Sequence, residues 1–217
     1  MGIRPVVLLS VVSFAFAAPV PAAITFYDNQ ALFNAVVTVS LIDDYETGSV
    51  RNAPLASLTR NGVSYTPTDG TPFPNVFIAD PGYSNFGAGV GITTTSILTA
   101  NGDENFRADF ATAVRAVAFD AYWNGLGAAV ITAYNNNTVL GAYSPAGNPD
   151  NKGFLGSITD GAAITGFRWD TTSGGQLNTG IDNLRTAPIP EPGTYAMLLA
   201  GLGLLGFVGR RRKRQAA

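Results

Sequence analysis

The sequence predicts a mostly β protein: a jelly-roll-like β-sandwich with one short helix near its start and a single membrane helix at its end. Three observations predict it. Apolar and polar residues alternate with period 2 through short runs, Gly, Pro, Asn and Asp interrupt those runs, and almost no stretch keeps helical spacing for long. At 217 residues with 13 prolines and 25 glycines, the chain has breakers enough for many short strands.

The first 23 residues read as a signal peptide. Arg4 and the amino terminus give a weak positive region, Val6 to Phe16 is apolar, and Ala15-Phe16-Ala17 or Val20-Pro21-Ala22 offers small residues for cleavage. Pro19 disfavours cleavage directly after Ala18, which places the mature start between Ala18 and Ile24.

Residues 24–187 form the predicted ectodomain. Asp28 is expected to cap a helix over Asn29 to Val37, where Leu32, Phe33, Val36 and Val37 make an apolar stripe that would plug one end of the sandwich. Strands are expected at Ser40 to Glu46, Gly62 to Thr66, Val76 to Ala79 and Gly89 to Leu98. Asn105 to Phe110 sets Phe106, Ala108 and Phe110 against Asn105, Arg107 and Asp109. Val114 to Trp123 repeats the alternation with Val117, Phe119, Ala121 and Trp123. Further strands are expected at Ala128 to Tyr134, Thr138 to Tyr143, Gly153 to Ile158, Ile164 to Trp169 and Gly180 to Arg185. Asn61-Gly62, Asp69-Gly70, Asn101-Gly102 and Asp160-Gly161 supply residues that tolerate positive φ in the turns.

Composition excludes several chemistries. The ectodomain holds 14 of the 15 acids and 7 of the 13 bases, a net charge of −7, so it lacks the basic stripe that a nucleic-acid partner requires. There is no cysteine and no histidine, which removes disulfides, Ser-His-Asp triads, imidazole-zinc sites and His-based acid/base catalysis. Lys152, the one ectodomain lysine, lies between Asn151 and Gly153 in what reads as an exposed turn, a poor place for a desolvated base. Carboxylate chemistry remains, but no spacing selects a catalytic pair. The chain is therefore read as a non-enzyme.

Residues 188–217 carry the clearest signal. Pro188-Ile189-Pro190-Glu191-Pro192 is a stiff, short spacer followed by Gly193, Thr194 to Gly209 is uncharged, and Arg210, Arg211, Arg212, Lys213 and Arg214 follow without interruption. As a helix, residues 194–209 reach about 24 Å, enough to span a bilayer that thins or whose flanking residues snorkel. The cations should stay in the cytoplasm and leave the ectodomain outside. With Pro190, Glu191 and Pro192, a Gly- and Leu-rich segment and a basic end in that order, this tail resembles the PEP-CTERM sorting signal of Gram-negative bacteria. The resemblance implies recognition by an exosortase in the inner membrane, cleavage near Pro190 to Pro192, and delivery to the cell surface or its exopolysaccharide matrix.

Two patterns inside the ectodomain point to binding. Asp43-Asp44-Tyr45-Glu46 and the strand containing Asp182 and Asn183 are both acidic, and in a jelly roll the first and last strands are often neighbours. This resembles carbohydrate-binding modules of jelly-roll type, which implies a structural Ca²⁺ held by Asp44, Glu46 and Asp182, with Asn183 or carbonyls completing the shell. The alternative is that these are solvated acids or turn residues. The second pattern is aromatic and amide-rich: Tyr122-Trp123-Asn124, Tyr134-Asn135-Asn136-Asn137, Tyr143 and Phe167-Arg168-Trp169-Asp170. Flat rings stack on sugars, whereas Trp123 and Trp169 share faces with core residues and read as core. Tyr122, Tyr134 and Asn135 are then the candidates for an exposed glycan site.

The sequence thus predicts an exported surface or matrix protein that binds exopolysaccharide or matrix proteins. A purely structural adhesive or coat protein and a carboxylate-dependent glycan hydrolase are the alternatives. An exposed aromatic row would favour the first, an unpaired edge strand the second, and a cleft with two facing carboxylates the third.

Overall fold

The computed structural model describes residues 23–48, 51–68, 75–81, 95–100, 105–122, 129–145, 152–171, 179–189 and 201–203 of the 217. In chain order these hold β1 (Ile24–Tyr27), α1 (Gln30–Asn34), β2 (Ser40–Asp43), β3 (Leu58–Arg60), β4 (Val63–Pro67), β5 (Val76–Ala79) and β6 (Ile97–Ala100). They continue with β7 (Phe106–Tyr122), β8 (Ala129–Asn135), β9 (Thr138–Tyr143), β10 (Lys152–Thr159), β11 (Ile164–Thr171) and β12 (Gly180–Pro188). All twelve strands join one antiparallel sheet, whose main path runs β5-β6-β12-β7-β11-β8-β9.

The organising element is β7, where the two expected strands Asn105 to Phe110 and Val114 to Trp123 are one strand of 17 residues. Its first part, Phe106 to Phe110, lies between β4 and β11. Its second part, from Ala116 to Tyr122, lies between β10 and β12. Between the parts the inward face changes phase: Phe106, Ala108 and Val114 point into the main core, and so do Val117, Phe119 and Ala121. The sheet curls there and returns on itself. Phe119 of the second part stacks on Phe167 of β11 at 5.0 Å and meets Trp169 edge-on at 6.0 Å.

Both faces of the second part are buried, so the alternation read as half-buried strand is covered on its polar side as well. Ala116 and Ala118 face a separate cluster with Phe33, Val37, Ile158 and Ala187. That cluster is the seat of α1, which therefore lies on the outer face of the sheet and not across an end of it. The expected helix is also shorter and capped differently. Asn29, with extended backbone (φ −125°, ψ 116°), accepts from the Ala31 and Leu32 amides at 2.9 and 3.1 Å, while Asp28 accepts from the Tyr143 hydroxyl at 2.7 Å. Of the expected stripe, Phe33 and Val37 are buried; Leu32 and Val36 face solvent.

The Asn61-Gly62 turn forms as expected, with φ of 46° and 78° joining β3 to β4. Strands β1 and β3 were not foreseen, and β12 runs to Pro188, one residue into the expected spacer, where it pairs with Val114. Residues 1–22 and nearly all of 194–209 lie outside the described residues, although 201–203 are helical. Among the described residues no helix is long and apolar enough to cross a membrane.

Candidate functional site

The acidic end of the molecule is built by the pairing of β2 with β12, which sets Asp43 against Leu184. The early acidic segment and the last strand are indeed adjacent. Asp43 is buried there and held by Arg60, whose Nε and Nη2 donate to its two oxygens at 2.7 and 2.8 Å, and by Asn61 at 3.0 Å. Tyr45 follows at φ 55°, its amide donating to Asp43 at 2.8 Å and its hydroxyl 2.9 Å from that of Tyr65. Burial raises the pKa of both phenols.

The three expected calcium ligands go to different partners. Asp44 accepts from the Glu46 amide at 3.1 Å, closing a local turn. Glu46 accepts from the amide and hydroxyl of Ser96 at 2.8 and 3.1 Å. Asp182 accepts from Thr95 Oγ1 at 2.5 Å and from the amide and side chain of Asn183 at 2.6 and 3.0 Å. Asn183, at φ 51°, also donates to Asp120, which Arg185 pairs from the same strand. Arg51 binds Asp80 and Ser96 nearby. Among the described residues no three acidic side chains stand close enough together to hold a metal. Burial is the main reason the Asp182 carboxyl is pushed up to about 6, with the Asp120 and Glu46 charges adding to it.

Of the expected glycan residues, Tyr122 does not reach the surface. It is 3% exposed, packed with Phe77, Ala79 and Ile97, because β5 and β6 cover this end of the outer face. Lys152 lies over its ring at 5.1 Å, and the adjacent Tyr122 hydroxyl is the main cause that raises the lysine pKa. Trp169 is core, its Nε1 donating to Thr179 Oγ1 at 2.9 Å. Trp123 lies outside the described residues.

Of the remaining candidates, Tyr134 lies on an accessible face, while Asn135, the next residue of β8, is half-buried and accepts from the Asn136 side chain at 3.2 Å. Ala133 points into the core and Tyr134 outward, half-buried, at the end of β8. In register, Gly166 of β11 stands between Asp109 of β7 and Tyr134. A Cβ at Gly166 would come within 2.5 Å of the Ala108 carbonyl and 2.9 Å of Asp109. On the same face Arg107 reaches across β11 and lies over the Tyr134 ring at 5.0 Å. The guanidinium is fixed by Asp109 at 2.8 Å and by the Asn136 carbonyl at 3.0 Å, and Asn136 in turn donates its amide to Thr165 and its side chain to Asn135. Thr66, Arg107, Arg168 and Thr132 stand side by side across four strands of the same face. Arg107 was legible only as the polar side of an alternation; its meeting with Tyr134 depends on β11 seating between β7 and β8, a pairing no local pattern announces.

A face of this kind offers a ring and guanidinium as a flat platform, with carboxylate, amide and hydroxyl groups around it. A separate cleft of about 330 Å³ opens where β7 bends, lined by Ile42, Val63, Phe110, Val114 and Pro188 among others, with no carboxylate in its wall.

Residues 188–213 match the family model of the PEP-CTERM protein-sorting motif. The motif begins on the last residue of β12, so the folded sheet passes directly into the sorting tail. The chain is thus an exported, exosortase-targeted protein with a C-terminal membrane-anchoring signal. A comparison with curated proteins finds no match.

Proposed function

We propose that the protein, once processed by exosortase at the inner membrane of a Gram-negative bacterium, works at the cell surface or in the extracellular matrix, where it binds exopolysaccharide without catalysis. The observation that carries this is the Tyr134 face, where Arg107 lies over the ring and Asp109 fixes its guanidinium. The adjacency of β2 and β12 and the curl through β7 support a jelly-roll reading of the sheet. Sugar C–H faces would stack on the Tyr134 ring, and hydroxyls would bond Asp109 and Asn135. Matrix proteins are partners of the same kind, met on the same exposed face.

The test is retention of the purified full chain, in detergent, on an array of bacterial exopolysaccharides, with Tyr134→Ala alongside. Retention of the wild type on at least one polymer, weakened about 5- to 10-fold by the substitution, is expected for one lost ring contact of on the order of 1 kcal/mol. Equal retention of both proteins, or none by either, contradicts the reading.

Calcium is the cofactor that the acidic end would take. With the carboxylates committed to Ser96, Thr95 and Asn183, we expect the same melting temperature in millimolar Ca²⁺ and in EDTA. A Ca²⁺-dependent rise that Asp182→Ala abolishes would restore a cation site. Among the described residues the outer edge of β9 has no strand partner, which favours a second reading, a purely structural adhesive or coat protein.

A further inference from the structure

We propose that β9 is a docking edge for a second copy of this chain, the two β9 strands pairing antiparallel across a two-fold axis. Among the described residues β9 pairs with β8 alone and ends the main path of the sheet. It is six residues long, Thr138-Val139-Leu140-Gly141-Ala142-Tyr143, without charge or proline, and Val139 is 56% exposed. Edges of soluble sheets are ordinarily short, charged, kinked by proline or covered. The other edges of this sheet follow that rule. β5 is covered by residues 52–55: Leu55 and Val76 exchange amide-carbonyl bonds of 3.0 and 2.8 Å, and the Asn52 amide donates to Ile78 at 2.8 Å. β2 has its Ile42 carbonyl taken by the Asn61 side chain at 3.1 Å. β1 has four residues, and β3 has three and carries Arg60.

The chemistry of the edge selects the partner. A strand that meets its own copy across a dyad brings identical side chains close, so a charge there would face a like charge; β9 has none. The register shift between Ala133 and Tyr134 sharpens the twist of the β8-β9 pair. A partner strand must share that twist, and a second β9 has the same one. The domains' net charge of −7 opposes approach, but beyond about 8 Å physiological salt screens it. Association through β9 is therefore strengthened by salt.

Sedimentation equilibrium of the full chain in detergent, from about 1 to 100 µM, reads the association. Val139→Lys and Ala142→Lys place a charge on the edge at exposed positions, and Leu41→Lys places one on β2 as a control for added charge. Wild type and L41K should dimerise, and V139K and A142K should dimerise at least tenfold more weakly while melting at the wild-type temperature. A wild type that stays monomeric at 100 µM overturns the proposal. So does a wild-type dimer that both edge lysines leave intact, since that dimer would be held by other surfaces such as the tail.

Discussion

Arg60 illustrates how one side chain sets a segment. It binds both oxygens of Asp43 and the Thr47 carbonyl, and the loop wraps it so closely that a Cβ at Gly48 would fall on its guanidinium. The Asp43 side chain is only 2% exposed, so Arg60→Ala leaves a buried carboxylate without its counter-ion. That should cost about 3–5 kcal/mol, read as a lower urea midpoint at unchanged slope. Asp182 gives a pH dependence. Its folded pKa of about 6 lies above the ordinary 3.8, so between those values the folded state holds more protons than the unfolded one and its stability falls as pH rises. The destabilising charge is fully present above about pH 6 and absent below about pH 4. Asp182→Asn should therefore lose to the wild type progressively as pH is lowered from 6.5 to 4, measured by urea titration at each pH; parallel profiles would refute the assignment. The groups facing Asp182 include Glu46, Asp120, Asn183 and Thr95, with Lys152 and Tyr45 coupled more weakly.

Among elements, α1 depends on what the sheet leaves room for. Gly156 of β10 has no side chain, and a Cβ there would sit 2.7 Å from the Phe33 ring. Phe33 fills that space and packs against Tyr27 and Phe154. Gly156→Ala should cost roughly 1–3 kcal/mol by overpacking and Phe33→Ala roughly 3–5 by the cavity it leaves. Both should lower the thermal midpoint and expose α1 to limited proteolysis before the sheet. The strands that the sequence revealed best were those with strict alternation, such as Phe106 to Phe110 and the Phe167-Arg168-Trp169 end of β11, because period 2 records burial on one face. The helix was legible but its length was not: Leu32 and Val36 fit a stripe that only Phe33 and Val37 bury, since apolar spacing does not say how wide a surface the sheet will offer. Tyr122 was misplaced for a related reason. A residue opposite the core face reads as exposed until a second layer, here β5 and β6, covers it.

At the scale of the whole molecule, one long strand makes the architecture. β7 carries pairings to β4, β11, β10 and β12, so nearly every other element depends on its bend. No local pattern announces such sharing, because two alternating runs separated by Ala111, Thr112 and Ala113 read the same whether or not the chain turns between them. The tail is the opposite case. Its meaning lies in residue order alone, and the match to residues 188–213 covers Pro190-Glu191-Pro192, the uncharged stretch and the first four of the five cations. β12 ends at Pro188, the first residue of the matched motif, and Ile189 after it is exposed, a geometry in which processing near Pro190 to Pro192 releases the domain with its last strand intact. The central claim is that processing, and intact-mass measurement of the protein recovered from the surface of its native host tests it most directly. The predicted mass corresponds to a chain ending near Pro190 to Pro192, without Thr194 to Arg214, with Glu191→Ala trapping the longer form in the membrane fraction. A surface protein whose mass still includes Arg210 to Arg214 would contradict it.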